Sequence, residues 1–102
     1  MSVIAVNKHN FQEEILNSDK YVLIDFFADW CGPCQRILPV LEEIARENPD
    51  IKVGKINVDE QPELASKFRV YTIPALFVIK NGQVIEQAIG VQSKEHLLAM
   101  VK

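Results

Sequence analysis

The chain has 102 residues, and its 48% hydrophobic and 25% charged content is typical of a globular protein rather than a disordered one. This length suits one compact domain, which we place at residues 1–102. The net charge is −3, with both signs interspersed and no basic stripe. That balance argues against nucleic acid as a partner.

The N-terminal residues lack a basic leader, and no apolar run approaches the length of a membrane span. We therefore expect a soluble, cytoplasmic protein with no membrane partner. Two cysteines are too few for a disulfide scaffold of the small secreted kind.

Strand and helix patterns alternate along the first two thirds of the chain. Apolar runs predict strands at residues 3–6, 21–28 and 51–57. Helices are predicted at about 10–17, 35–47 and 62–68. Asn10 and Glu13 fit a capping box at the first helix, and Pro39 predicts a kink in the second.

The last third predicts a hairpin and a closing helix. Strand patterns at 75–80 and 83–88 flank Asn81-Gly82, which is a strong two-residue turn signal. A helix is expected over 93–101. The early strand–helix repeats imply parallel pairing and the hairpin an antiparallel edge, which defines an α/β class with a mixed sheet.

Both cysteines lie in the run Cys31-Gly32-Pro33-Cys34, between a predicted strand and a predicted helix. Positions three apart on a helix are roughly 5–6 Å apart at Cβ, and a disulfide needs about 3.5–4.5 Å. A slight tightening of the first turn therefore closes the ring. A CxxC pair at such a junction is a redox signature.

The spacing also suggests a role for each residue of the run. Cys31 is expected to be the attacking thiol, because the N–H groups at a helix N-terminus favour the thiolate. Cys34, inside the first turn and more buried, would resolve the mixed disulfide. Gly32 lets a partner's backbone approach closely, and Pro33 suits a turn that needs no N–H.

Half of a zinc site is the alternative interpretation of the two cysteines. Such a site needs two further ligands at metal spacing, and the chain offers only His9 and His96, each isolated. The redox interpretation is therefore favoured.

Asp25 interrupts an otherwise apolar strand. If it is buried, desolvation should raise its pKa and let it accept the proton that Cys34 must lose. The alternative is an edge-strand carboxylate that points into water. Lys55 either reaches this carboxylate or is a solvated strand lysine.

Three further residues carry expectations from the pattern alone. Trp30 is either a substrate contact or a core residue, and Tyr71 is either exposed near the site or structural. The bond before Pro74 is expected to be trans, because most X–Pro bonds are.

Several segments together resemble the thioredoxin family over essentially the full length. They are Asp25-Phe26-Phe27-Ala28-Asp29-Trp30-Cys31-Gly32-Pro33-Cys34, Val53-Gly54-Lys55-Ile56-Asn57-Val58-Asp59, Tyr71-Thr72-Ile73-Pro74 and Lys80-Asn81-Gly82. The resemblance implies the thioredoxin fold, a five-stranded mixed sheet in the order 1-3-2-4-5 flanked by four helices. It also implies a cis bond before Pro74 and a proton-handling pair, Asp25 and Lys55. The implied substrate-docking residues are Trp30, Ile73, Pro74, Gly90 and Val91.

The implied function is that of a general protein-disulfide reductant that needs no bound cofactor and acts as a monomer. Electrons would come from a thioredoxin reductase, either flavin-dependent or ferredoxin-linked. The implied acceptors are ribonucleotide reductase, methionine sulfoxide reductase and peroxiredoxin. Two alternatives are an oxidant or isomerase, which usually has His in place of Pro33, and a binding module whose thiols are idle.

Four positions depart from the usual family pattern. Phe27 replaces a frequent Trp, Gln35 a frequent Lys, Ala75 a frequent Thr, and Val91 a frequent Ala. Loss of a positive charge at position 35 removes one stabiliser of the Cys31 thiolate. The departures bear on redox potential and partner preference and not on the reaction.

Overall fold

The computed structural model describes residues 2–101, which form five strands and four helices, the first helix being π-helical. The predicted domain extends one residue beyond this range at each end. The strands are β1 (Ile4–Ala5), β2 (Tyr21–Phe27), β3 (Ile51–Asn57), β4 (Ala75–Lys80) and β5 (Gln83–Ile89). The π-helix (Gln12–Leu16) precedes α1 (Gly32–Glu47), α2 (Pro62–Lys67) and α3 (Lys94–Met100).

The strands form one mixed sheet in the order β1-β3-β2-β4-β5. β2 pairs parallel with β3 and antiparallel with β4. The β4–β5 turn has Asn81 at φ 52° and Gly82 at φ 77°, the left-handed pair that a tight hairpin requires. The predicted sheet order and hairpin are confirmed.

Helices cover both faces of the sheet, which is why β2 is apolar on both sides. Leu23 packs with residues of α1 and α3 on one face. Ile24 and Phe26 pack on the other face with Phe11, Ile15 and α2. Side chains alternate along a strand, so Asp25 lies on the same face as Leu23, towards α1.

The predicted capping box at the first helix is wrong. The Asn7 Oδ1 accepts from the N–H groups of His9 and Asn10, at 2.8 and 3.1 Å. Asn10 Oδ1 instead accepts from the Asn7 N–H, and the helix has no side-chain cap at Phe11. Asn7 can bond the backbone two and three residues ahead, so it organises this turn in place of Asn10.

Gly54 in β3 lies against Val6, the residue that directly follows β1. A Cβ at this position would lie 2.9 Å from Cγ2 of the buried Val6. Valine is stiff at χ1, so this contact is relieved only by moving backbone. The glycine therefore permits the close approach of the two strands.

Gly54→Ala should lower the free energy of unfolding by about 1–3 kcal/mol, because it overpacks this contact. Urea unfolding of the oxidised protein measures the change. Gly32→Ala is the matched control, because a Cβ there meets nothing within 4 Å. Equal unfolding midpoints for the two variants would contradict the close approach.

Candidate active site

The two cysteines form a disulfide across the first turn of α1. Cys31 is the N-cap, in an extended conformation with φ −89° and ψ 106°, and Cys34 lies inside the turn. Their Cα atoms are 5.3 Å apart. The Cys34 N–H donates to Cys31 Sγ at 3.2 Å, so a backbone donor is already directed at the sulfur that would carry negative charge.

Helix α1 begins at Gly32, three residues earlier than predicted, and runs continuously through Pro39. Pro33 lies in the first turn, where the missing N–H leaves no hydrogen bond unmade. The early start places Cys34 within the helix and Cys31 at its N-terminus.

Both cysteines are largely covered. Cys31 is 5% exposed and Cys34 is 2% exposed, so Cys34 is the more buried of the two by a small margin. Ala28 and Ile73 pack against them, and Cys31 Sγ lies 4.0 Å from the Ile73 carbonyl oxygen. Gly32 and Pro33 beside them are exposed, so this side of the disulfide is open to a partner.

Asp25 is fully buried, which overturns the alternative of a solvated edge carboxylate. Among residues 2–101, neither carboxylate oxygen has a hydrogen-bond partner. Desolvation raises the pKa of Asp25 from 3.8 to about 7, and the positive charge of Lys55 offsets part of this rise. The carboxyl group can therefore hold or release a proton near neutral pH.

Lys55 is the direct neighbour of Asp25 on β3. Both residues lie on the α1 face of the sheet, because Leu23 and Val53, two positions earlier, pack there. Lys55 is partly exposed, and its Nζ lies 5.8 Å from the centroid of the Phe27 ring. It thus links the buried carboxyl group to the surface.

The residues that the family resemblance assigned to docking meet at one end of the sheet. The bond between Ile73 and Pro74 is cis, so the trans expectation is wrong and the family expectation is confirmed. Local preference is overridden here by tertiary context: Pro74 is buried, and its carbonyl accepts from the Gly90 N–H at 2.8 Å. Ile73 is partly exposed beside the cysteines, and Val91 follows Gly90 as an exposed side chain.

Two aromatic side chains extend this surface. Trp30 is 72% exposed and Tyr71 is 88% exposed, so neither is a core residue. Sequence reasoning missed Asp59, whose Oδ2 accepts from Trp30 Nε1 at 2.9 Å. Asp59 ends the segment 53–59 that resembles the thioredoxin family, and this was the sequence signal for a functional role. The fold is needed to place it beside Trp30.

Across residues 2–101, the His, Cys, Asp and Glu side chains form no group of three or more that could hold a metal ion. In the same range, no helix is long and apolar enough to cross a membrane.

A disulfide that closes on the first turn of a helix, beside a buried carboxyl group in a mixed α/β sheet, defines a thiol–disulfide oxidoreductase. Comparison with known proteins narrows this class. Residues 2–102 match the thioredoxin family. The chain is 50% identical over 101 residues to a thioredoxin of Alicyclobacillus acidocaldarius, an alignment that spans 98% of this chain and 95% of the relative.

Two further relatives agree with this match. A thioredoxin of Mycobacterium tuberculosis is 45% identical over 98 residues, which span 95% of this chain and 84% of the relative. A thioredoxin of Rickettsia typhi is 43% identical over 90 residues, or 87% and 86% of the two chains. The chain belongs to the thioredoxin family. It is a protein-disulfide reductase whose Cys31–Cys34 pair alternates between dithiol and disulfide, and the family implies a thioredoxin reductase and disulfide-containing substrates as partners.

Proposed function

We propose that Cys31 is the nucleophile and Cys34 the resolving thiol of a general protein-disulfide reductant. The observation that supports this most directly is the disulfide across the first turn of α1, with the Cys34 N–H directed at Cys31 Sγ. In the reduced protein this donor and the helix N-terminus favour a thiolate at residue 31. Gly32 and Pro33 shape the exposed turn between the sulfurs and so tune its redox behaviour.

The reaction proceeds in two exchange steps. The Cys31 thiolate attacks one sulfur of a substrate disulfide, a Cys31–substrate disulfide forms, and the second substrate sulfur leaves as a thiolate that takes a proton from water. Cys34 then loses its proton and attacks Cys31 Sγ, which releases the first substrate sulfur. Two electrons have passed to the substrate, and the Cys31–Cys34 disulfide remains.

Asp25 accepts the proton of Cys34 in the second step. It lies on the face of the sheet that α1 covers, and burial brings the pKa of its carboxyl group to about 7. A base with such a pKa is matched to proton transfer at neutral pH. The positive charge of Lys55 stabilises the carboxylate form of Asp25 that accepts this proton. Asp25 becomes a neutral carboxyl group and later releases the proton to solvent on the partly exposed Lys55 side.

Substrates dock on Trp30, Ile73, Pro74, Gly90 and Val91. The partly exposed Ile73 and the exposed Val91 offer apolar surface, and Trp30 adds a large aromatic face. The exposed loop that ends at Pro74 would add the substrate backbone as a short strand. The buried Pro74 and the Gly90 N–H that it binds hold this loop in place.

We further propose a cytoplasmic, monomeric protein that acts as one domain over residues 1–102 and needs no bound cofactor. Its reductant is a flavin-dependent or ferredoxin-linked thioredoxin reductase. Its acceptors are ribonucleotide reductase, methionine sulfoxide reductase and peroxiredoxin. Coupled assays with each purified reductase and acceptor test these assignments one by one.

Cys34→Ser should trap substrates, because serine cannot resolve the mixed disulfide on Cys31. After incubation with oxidised insulin, mass spectrometry should find a covalent insulin adduct on nearly all of the variant, whereas wild-type protein should hold almost none. A reducing agent should release the adduct. Absence of an adduct on the variant would show that Cys34 is not the resolving thiol.

A further inference from the structure

A cavity of about 330 Å³ lies on the face of the sheet opposite to Asp25. It opens between the π-helix, the end of α2 and the β4–β5 hairpin. Its floor is formed by Phe11, Phe68, Phe77 and Ile79, which belong to or pack against the core cluster of that face. The redox disulfide is outside its lining.

The floor of the cavity is an aromatic cluster. The Phe68 ring lies 5.8 Å from the Phe11 ring at an interplanar angle of 86°, and 5.1 Å from the Phe77 ring at 68°. Phe11 and Phe77 are buried, whereas Phe68 is partly exposed. The partly exposed Phe68 ring therefore offers aromatic surface to a flat apolar guest, above two buried rings.

Two positively charged side chains lie at the edge of this floor. Lys67 lines the cavity with its Nζ 5.0 Å from the centroid of the Phe11 ring. Arg69 lines it from the residue after the α2 C-cap, with φ 55°. The Arg69 N–H donates to Ser66 and the Val70 N–H to Ala65, so Arg69 takes the left-handed position that usually selects glycine.

The charged side chains that line this cavity are Lys67 and Arg69, both positive. Among residues 2–101, no Asp or Glu lines the cavity. Glu86 of β5 pairs with Val78, which packs in the cluster on the other face, so the Glu86 side chain points away. In a chain of net charge −3, this is a locally positive, apolar-floored cavity.

We propose that this cavity binds a small aryl monocarboxylate. The ring packs on the phenylalanine cluster, and the carboxylate pairs with the Arg69 guanidinium and the Lys67 ammonium. A cavity of about 150 Å³ holds a benzene ring, so about 330 Å³ accommodates one or two fused rings. Binding takes place away from the dithiol and needs no redox chemistry.

The test is an amide NMR titration of the oxidised protein with 2-naphthoate. Saturable shifts are expected at Phe68, Arg69, Gly82 and Val84, and not around the disulfide. The neutral 2-naphthamide should bind about fivefold more weakly or worse, because it lacks the charge that the cations select. Absence of saturation at millimolar 2-naphthoate, shifts centred on Trp30, or equal binding of the amide would each overturn the proposal.

Matched variants test whether the positive charge at this cavity determines 2-naphthoate binding. Arg69→Gly keeps the left-handed backbone and removes the guanidinium, and Gln87→Glu adds a carboxylate to the lining. Each should weaken 2-naphthoate binding about fivefold or more. Gln83→Glu makes the same charge change on β5 outside the cavity and should leave the affinity within about twofold. Equal effects of Gln87→Glu and Gln83→Glu would contradict the proposed site.

Discussion

Replacing Cys31 with serine should reduce the rate of insulin-disulfide reduction to the rate measured without protein. A serine hydroxyl does not ionise near neutral pH, so no nucleophile remains at the N-terminus of α1. Cys34 does not substitute for it, because Cys34 lies inside the first turn, whereas Cys31 is the N-cap whose sulfur accepts the Cys34 N–H. Turbidity from reduced insulin chains, with dithiothreitol as the electron source, measures the rate.

The matched reference for this variant is the reduced wild-type protein, because both lack the disulfide. Urea unfolding of the two should therefore give similar midpoints, which separates lost chemistry from lost folding. Unchanged turnover by a folded Cys31→Ser protein would rule out Cys31 as the nucleophile.

The pH dependence of Cys31 alkylation provides an independent check on the same residue. Cys31 is only 5% exposed in the disulfide form, so a small reagent such as iodoacetamide is the appropriate probe. Reaction near neutral pH, faster than that of a free cysteine, is the expected result for a partly ionised thiol at a helix N-terminus. An inert sulfur across the whole titration would contradict the assigned role.

The sheet could be predicted closely because its strands are defined by local patterns. β3 and β4 match their predicted bounds, and β2 and β5 differ by one residue at one end. β1 is shorter than predicted, since its register with β3 covers Ile4 and Ala5 at the edge of the sheet. The length of an edge strand depends on its partner, which the sequence pattern does not contain.

Interactions between distant residues account for most of what the sequence did not reveal. The CxxC spacing pointed to Cys31 and Cys34, and the apolar run around Asp25 predicted its burial. The Trp30–Asp59 hydrogen bond joins residues 29 positions apart. The bond before Pro74 is set by packing and by the Gly90 N–H, so trans preference alone gave the wrong isomer.

Asp25→Asn should stabilise the folded protein at neutral pH, by an amount that depends on pH. The pKa of Asp25 is about 7 in the folded state against 3.8 for the model carboxyl group. The folded protein therefore binds more protons than the unfolded chain between these values, and stability falls as pH rises from about 4 to about 7. Near pH 4 the carboxyl group is neutral in the fold and resembles the amide.

The expected gain in the free energy of unfolding follows from the same shift in the pKa of Asp25. Roughly three pKa units correspond to about 4 kcal/mol, which is the full cost of ionising the buried group above pH 7. Urea unfolding of oxidised wild-type and Asp25→Asn protein should show similar stability at pH 4 and a difference of about that size at pH 8. Asp50→Asn is the control, because it neutralises an exposed carboxylate. Its free energy of unfolding should follow that of the wild type at both pH values.

The same substitution should slow the resolving step. Without a base of pKa near 7, Cys34 must lose its proton directly to solvent, and general bases contribute on the order of a hundredfold. Single-turnover release of a preformed Cys31–substrate disulfide measures this step, and the rate of the variant should recover towards alkaline pH. The wild-type rate should instead level off above about pH 7, where Asp25 is already ionised.

A variant that is no more stable at pH 8 would show that Asp25 does not ionise in a desolvated environment. A variant with unchanged release would show that the proton of Cys34 leaves by another route.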